Sequence, residues 1–405
     1  MLMSRASMNR MKRSGALRLG LLSLVVGTTP ATSADTLVEL GAEGVVFTQP
    51  APLPARDAKL SLSLRAEFTR ELADRNLYLT FEPFFRVDQY DEQRNHADIR
   101  ELKAIKVFDN WELEGGVGQF FWGVAESNHL VDILNQTDTL EGIDGEDKLG
   151  QPVLRVSRMF DRSTLSAFVL PGFRERSWPG PTSRFALPFP VDEDAAQFES
   201  DDGNDHVDYA LRYSGYAGYV DYGLSWFKGT ARRPLFIPSE SDPGVNVPFY
   251  MQMERVGLDL QLTIDAWLWK LEAIDQRSNY EDFTAAVGGL EYTFYNMHEG
   301  LYDLGLLAEY SYNSLDDPQL VFFQNDLFLG ARFGFTDAES SQILAGGFLD
   351  LDDQSQIFRV EASRRVFGDA TLSLEAQFFG EIARGNFNYP YRDNDFLLLD
   401  IAWYF

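Results

Sequence analysis

The chain has 405 residues, enough for two or three ordinary domains or one large β architecture. Apolar residues make up 45% and aromatics 14%, so it can bury a core, while a net charge of -27 would repel nucleic acid. Cysteine is absent, which excludes disulfide frameworks, thiolate metal sites and cysteine nucleophiles. No two of His96, His129, His206 and His298 share the spacing of a helical zinc site.

Residues 1–34 carry Arg5, Arg10, Lys12, Arg13 and Arg18 and no acid, then the apolar run Leu17–Gly27, then TTPATSA. A basic start, a short apolar middle and a small-residue end make a secretory signal peptide, with cleavage expected after Ala34. The apolar run is too short to span a bilayer as a helix, and no later stretch has 18 consecutive apolar residues. Residues 35–405 are therefore expected to form a single exported domain, either soluble or a membrane β-barrel.

Period-two alternation runs through that domain. Strands are predicted at 37–47, 60–71, 77–88, 98–108, 111–121, 152–160, 164–170, 206–213, 219–228, 250–263, 267–276, 284–295, 301–311, 326–336, 342–351, 356–366, 371–381 and 396–405. In Val256, Leu258, Leu260 and Leu262, and again in Leu372, Leu374, Ala376 and Phe378, one face is wholly apolar. The opposite faces mix charge, glycine and an occasional aromatic. Short turns, such as 264–266 and 367–370, alternate with long connections at 122–151, 171–205, 229–249, 312–325 and 382–395. The expected fold is all-β: a transmembrane antiparallel up-and-down β-barrel of 18 strands, with sixteen as the alternative count. An even count places every long connection on one rim and every short turn on the other.

The last predicted strand, FLLLDIAWYF, ends on an aromatic and resembles the terminal strand of Gram-negative outer-membrane barrels. That resemblance implies a porin-like barrel in the cell outer membrane. It also implies recognition of the terminal strand by the outer-membrane assembly machinery, with lipids and lipopolysaccharide as neighbours. Trp267, Trp269, Tyr292, Tyr302, Trp403 and Phe405 then fall on the short-turn rim and are assigned to a membrane-interface girdle.

Apolar residues outward put Arg155, Arg212, Arg255, Lys270, Arg332, Arg359 and Arg365 into the lumen, with Asp208, Asp221, Asp259, Glu272, Glu291, Glu309, Glu361, Glu375 and Asp400. On the lipid face each charge would cost about 2–4 kcal/mol near the midplane. A wet lumen of both signs suits passive transport of small hydrophilic or amphipathic solutes.

The segment Trp122–Asp138, WGVAESNHLVDILNQTD, is too apolar for a solvated loop. It is expected to form a short helix folded into the lumen, with Glu126, Asp132, Asn135 and Asp138 facing Arg255 and Arg332 at a constriction. Its Trp-Gly, acidic residue and Asp-x-x-Asn-x-x-Asp run resembles a group of uncharacterised proteobacterial outer-membrane barrels, which implies transport but no ligand. Packing against the wall for stability is the alternative for the same residues.

Further on, Arg174, Arg176 and Arg184 are expected to meet phosphates at the mouth. Asp201, Asp202, Asn204 and Asp205 offer oxygen ligands without a full calcium-loop pattern. His206 between Asp205 and Asp208 lacks the surroundings of a known outer-membrane hydrolase. No metal, cofactor or catalytic residue is assigned. The alternatives to a channel are a non-conducting structural or adhesive barrel and, third, a barrel enzyme; oligomeric state is left open.

Overall fold

The computed structural model describes residues 32–50, 54–142, 145–315 and 323–405. Eighteen of its strands close into one antiparallel barrel. In chain order the first seven are β1 (Thr32–Phe47), β2 (Ala58–Leu72), β3 (Leu77–Asp88), β4 (His96–Phe108), β5 (Trp111–Gly118), β6 (Gln151–Met159) and β7 (Ser163–Pro171). The next six are β9 (Val207–Ala217), β10 (Val220–Thr230), β13 (Gln252–Ile264), β14 (Trp267–Ser278), β15 (Phe283–Asn296) and β16 (Tyr302–Asn313). The last five are β17 (Asn325–Phe335), β18 (Gln342–Asp350), β19 (Gln356–Val366), β20 (Ala370–Phe379) and β21 (Phe396–Tyr404). Three short strands, β8 (Gln197–Phe198), β11 (Leu235–Pro238) and β12 (Asn246–Tyr250), form a separate small sheet from the long connections.

Each barrel strand pairs with its neighbours in sequence, and β1 closes the ring on β21 from Glu39↔Tyr404 to Phe47↔Phe396. The seam extends by one reciprocal pair, Phe405 N–H to the Val38 carbonyl at 2.9 Å and Val38 N–H to the Phe405 carbonyl at 3.1 Å. Closure satisfies backbone groups that an open edge would leave unpaired. The predicted strands all appear, with ends shifted by a few residues. The largest shift is β1, which starts at Thr32 and pairs Thr32–Ala34 with Arg70–Leu72, upstream of the expected cleavage point. The rest of the predicted signal segment, residues 1–31, lies outside the described residues.

Alternation does what the pattern requires. Leu62, Leu154, Leu211, Leu224, Val256 and Leu329 are exposed on the outer surface, whereas Glu43, Asp259, Glu272, Glu309, Arg359 and Glu361 are buried on the inner one. Arg359 lies 3.0 Å from Glu361 and 2.9 Å from Glu375, a lateral ion-pair lattice along β19 and β20. Asp221 and Arg365 sit at the short-turn rim and are exposed to solvent rather than deep in the lumen. Asn76, Asp109 and Asp265 take left-handed turns there, with φ of 46°, 51° and 52°, a conformation short polar side chains tolerate. Pro83, which cannot donate to a ladder, coincides with a register shift between β3 and β4.

The rim aromatics form a band. Trp267 stacks near Trp269 at 5.9 Å and meets Tyr292 at 4.5 Å, Tyr292 meets Phe294 at 4.7 Å, and Tyr302 touches Phe333 and Phe335. Trp403 lies in the same rim half-buried, and Phe405 is exposed.

Candidate functional site

The long connection between β5 and β6 does not stay outside. Glu272 on β14 accepts hydrogen bonds from the backbone N–H of Val124 at 2.7 Å, Ala125 at 2.9 Å and Val131 at 3.1 Å. Glu309 on β16 accepts from Glu126 N–H at 2.9 Å, Ser127 N–H at 2.7 Å and the Ser127 hydroxyl at 2.6 Å. The Glu126 carboxylate then meets Arg332 on β17 at 2.7 Å and Lys270 on β14 at 3.3 Å. β17 stands half the ring of 18 away from β5, on the opposite wall. The eight residue-to-residue steps from Gly118 to Glu126 reach about 26–29 Å when extended. The segment therefore crosses the lumen.

Local sequence explains the docking. Gly123 has φ +135°, and a Cβ there would stand 2.8 Å from Glu272 Oε1, so only glycine lets the backbone approach that carboxylate. Glu272 is paired across strands with Asp259 and Val287, and Glu309 with Gly289 and Phe328. Neither acid has a base directly opposite it in the ladder; Lys270 stands 4.0 Å from Glu309, and the segment's amides supply the hydrogen bonds.

Behind this line the lumen is packed with apolar side chains. Trp122, Val131, Ile133 and Leu134 are buried against Phe168 and Leu170 of β7, Phe227 of β10 and Ile274 of β14. The expected short helix is not formed. Asn135 accepts from Phe120 N–H at 2.8 Å and donates to the Gly118 and Leu149 carbonyls, both at 2.8 Å. Asp132 accepts from Trp122 N–H at 3.3 Å and pairs with Lys148 at 3.2 Å. Such side-chain bonds to the backbone compete with helical ones and hold the segment in an irregular path.

Its far end docks on a third place. Asp138 pairs with Arg100 of β4 at 2.6 Å. Glu141 lies between Arg86 of β3, at 2.7 Å, and His96 of β4, at 3.2 Å. Glu43 of β1 holds Arg86 at 3.3 Å and Arg94 at 3.1 Å. Burial pushes the Glu141 carboxyl up, but Arg86, Arg94 and Arg100 outweigh it and hold it below the usual range. Among the described residues, His96, Asp138 and Glu141 are the one His/Asp/Glu group whose ligand atoms lie within 4.8 Å of one another. Arg100 and Arg86 already occupy the two carboxylates, so the group reads as a clasp.

The expected constriction is thus only partly assembled. Glu126 and Arg332 meet. Asp132 and Asp138 form their ion pairs with Lys148 and Arg100. Arg255 instead donates to the Leu130 carbonyl at 3.1 Å and to the Gln276 side chain, holding the segment by an uncharged contact.

The connection between β7 and β9 also folds inward, and the arginines expected to meet phosphates at the mouth are held by partners within the chain. Arg184 is buried and donates to Asn394 at 2.7 Å and, by the same guanidinium, to the Gln49 and Asp393 carbonyls. Arg174 pairs with Asp98 at 2.9 Å. Arg176 donates to Gln136 at 3.1 Å and to the Arg232 carbonyl at 3.0 Å, and burial lowers its guanidinium to about 10. This connection thereby ties the mouth from β7 across to the loops beside β1 and β21. The tempting His206–Asp208 contact at 2.9 Å is an anchor: Asp208 also binds Arg232 at 2.7 Å and Thr230 N–H at 2.9 Å, and Arg232 donates to the Leu134 carbonyl. Asn204 donates to Glu175. Asp201, Asp202 and Asp205 join no metal-sized group among the described residues.

No protein-family model and no curated protein matches the sequence. Solved structures do match. Wzi, an outer-membrane protein involved in group 1 capsule assembly in Escherichia coli and described as a carbohydrate-binding β-barrel, aligns with a TM-score of 0.52 at 9% identity, over 90% of this chain and 83% of its own. Pseudomonas aeruginosa OpdO aligns with a TM-score of 0.54 at 10% identity, over 92% and 96%. OccK11 (OpdR) of the same organism gives 0.51 at 10% identity, over 92% and 95%. At such identities the likeness shows the fold: this chain shares the closed antiparallel β-barrel of these outer-membrane proteins.

Proposed function

We propose that the barrel sits in the outer membrane of a Gram-negative cell and lets small hydrophilic or amphipathic solutes cross passively, along an off-centre path. The crossing segment and its apolar packing fill the side of the lumen bounded by β6 to β15. The other side, from β17 round through β21 to β3, carries inward ion pairs beside two small apolar clusters, one at Phe328 and Leu344 and one at Val45, Phe47 and Phe396. The side chains of Arg332 and Arg65 there retain 28% and 24% of their exposure, and Glu375 retains 14%. Partial exposure of inward charges on a closed barrel is the observation that carries the reading, because it marks water beside the wall. The exposed apolar outer face supports membrane insertion, since lipid removes the cost of leaving leucines uncovered.

A second reading has one specific support. Both infolded connections are pinned to the wall, the first by buried ion pairs and the second by the hydrogen bonds of Arg184 and the Arg174–Asp98 pair, which suits a barrel that binds a solute without passing it; Wzi is described as a carbohydrate-binding β-barrel. Swelling of liposomes containing the purified protein, in iso-osmotic small sugars and amino acids, separates the two. Swelling that falls with solute size is expected. Its absence, with the barrel correctly inserted, favours the binding reading.

A further inference from the structure

The inner face of the ladder pairs like charges of one sign only. On the side that the crossing segment leaves open, Glu43 stands opposite Asp400, Glu82 opposite Glu101, and Glu361 opposite Glu375. At the long-connection end of β17 and β18, Asp326 stands opposite Asp350. Asp259 opposite Glu272 repeats the arrangement under the segment. Glu43, Glu82, Asp259, Asp326 and Glu361 are buried on the inner face, and a residue directly opposite shares that face. Among the described strands of the barrel, no Lys or Arg stands opposite another Lys or Arg. Like charges directly opposite destabilise a sheet, so a wall built only for stability would set acid against base. The chain accepts that cost for carboxylates and not for bases.

The inward bases do not restore neutrality, because they are shared. Arg359 answers both Glu361 and Glu375, at 3.0 and 2.9 Å. Arg65 stands opposite Glu39 and pairs with Glu82. Lys103 serves Glu101 at 2.8 Å and Glu114 at 3.7 Å, and Arg332 serves Glu126 at 2.7 Å and Glu291 at 3.6 Å. Glu114 and Glu126 each have a second base, Arg155 and Lys270, but these bring Glu112 and Glu309 into the network. Its carboxylates therefore outnumber its bases. Toward the short-turn rim, Glu39 and Glu67 add inward, half-buried carboxylates on neighbouring strands. Arg176 and Arg255, which bind uncharged groups, lie against the packed side. Low-dielectric walls focus the field of such fixed charges into the water beside them, and the field concentrates ions of the opposite sign.

We propose that the path prefers cations, and that the solutes it suits are small organic amines of net positive charge rather than carboxylates. The inference rests on the reading of the barrel as a passive path. The test is the zero-current potential of the purified protein in a planar bilayer across a KCl gradient, which gives the permeability ratio of K+ to Cl−. In about 0.1 M salt, where charges act over about 10 Å, K+ should be favoured about threefold or more; in about 1 M salt, where they act over about 3 Å, the ratio should fall toward one. Lysinium in place of K+ should permeate better than glutamate in place of Cl−. Combining Glu39→Gln, Glu67→Gln and Asp400→Asn should cut the ratio by about half or more. These changes keep side-chain size, Asp400→Asn relieves the like-charge pairing with Glu43, and unchanged heat-modifiability on gels shows that the variant is folded. A conducting wild-type protein with a ratio at or below one overturns the proposal and leaves passive transport standing. An unchanged ratio in the folded, conducting triple variant overturns it as well. Inserted protein that does not conduct removes the path and the preference together.

Discussion

Replacing Glu309 with alanine isolates the docking of the crossing segment. The carboxylate is buried at 3% exposure and takes three donors, Glu126 N–H, Ser127 N–H and the Ser127 hydroxyl. Hydrogen bonds to a charged group contribute about 1.5–3 kcal/mol each. Release into a wet lumen lets water recover part of that, so a net loss of about 3 kcal/mol is expected, which shifts the docked-to-released ratio on the order of 100-fold. The barrel ladder does not involve this side chain, so heat-modifiability should persist. Hydrogen–deuterium exchange of peptides covering 119–150 is the assay. Val124–Ser127 should lose protection in Glu309→Ala and lose less in Glu309→Gln, which keeps one acceptor oxygen. Wild-type protection of these amides in folded Glu309→Ala would refute the docking account.

Gly123→Ala should release the same stretch, because its Cβ would crowd Glu272 Oε1 at 2.8 Å and its φ of +135° suits glycine; the same exchange measurement checks it. Docking should also depend on pH in two directions. Burial lowers the His129 imidazole but Glu146 outweighs it and raises it, so its contribution is full below the unfolded value and lost as pH rises through the raised one. Burial raises Glu126 but Arg332 and Lys270 outweigh it, so that contribution is lost as pH falls through the lowered value. Protection of 119–150 should therefore be greatest in mildly acidic buffer, and His129→Gln should remove the alkaline limb. Phe405→Asp should reduce the amount of heat-modifiable protein in the outer-membrane fraction, because a charge replaces an exposed aromatic on the rim; normal levels would contradict the girdle assignment.

The barrel was legible because its physics is local. A strand such as Val256–Leu262 shows in its own residues which face meets lipid, and eighteen such patterns fix parity and rims. The connections were not legible because their partners are distant. Leu130, Val131, Ile133 and Leu134 suit a helix, yet Asp132, Asn135 and Gly123 carry the conformation through bonds to backbone and to Glu272. Glu272 and Glu309 were readable as inward acids, and the absence of a base opposite either was the available sign that a third element must satisfy them. Arg184 gave no such sign, since Asn394, 210 residues away, is its partner.

Conductance of the purified protein in a planar bilayer tests the central claim most directly. Wild-type protein should give discrete, small steps. A variant lacking residues 126–140 should give larger ones, because the crossing segment no longer fills its half of the lumen. Folded, inserted protein that conducts in neither form would contradict a solute path through this barrel, and equal steps in both would contradict the placement of the segment within that path.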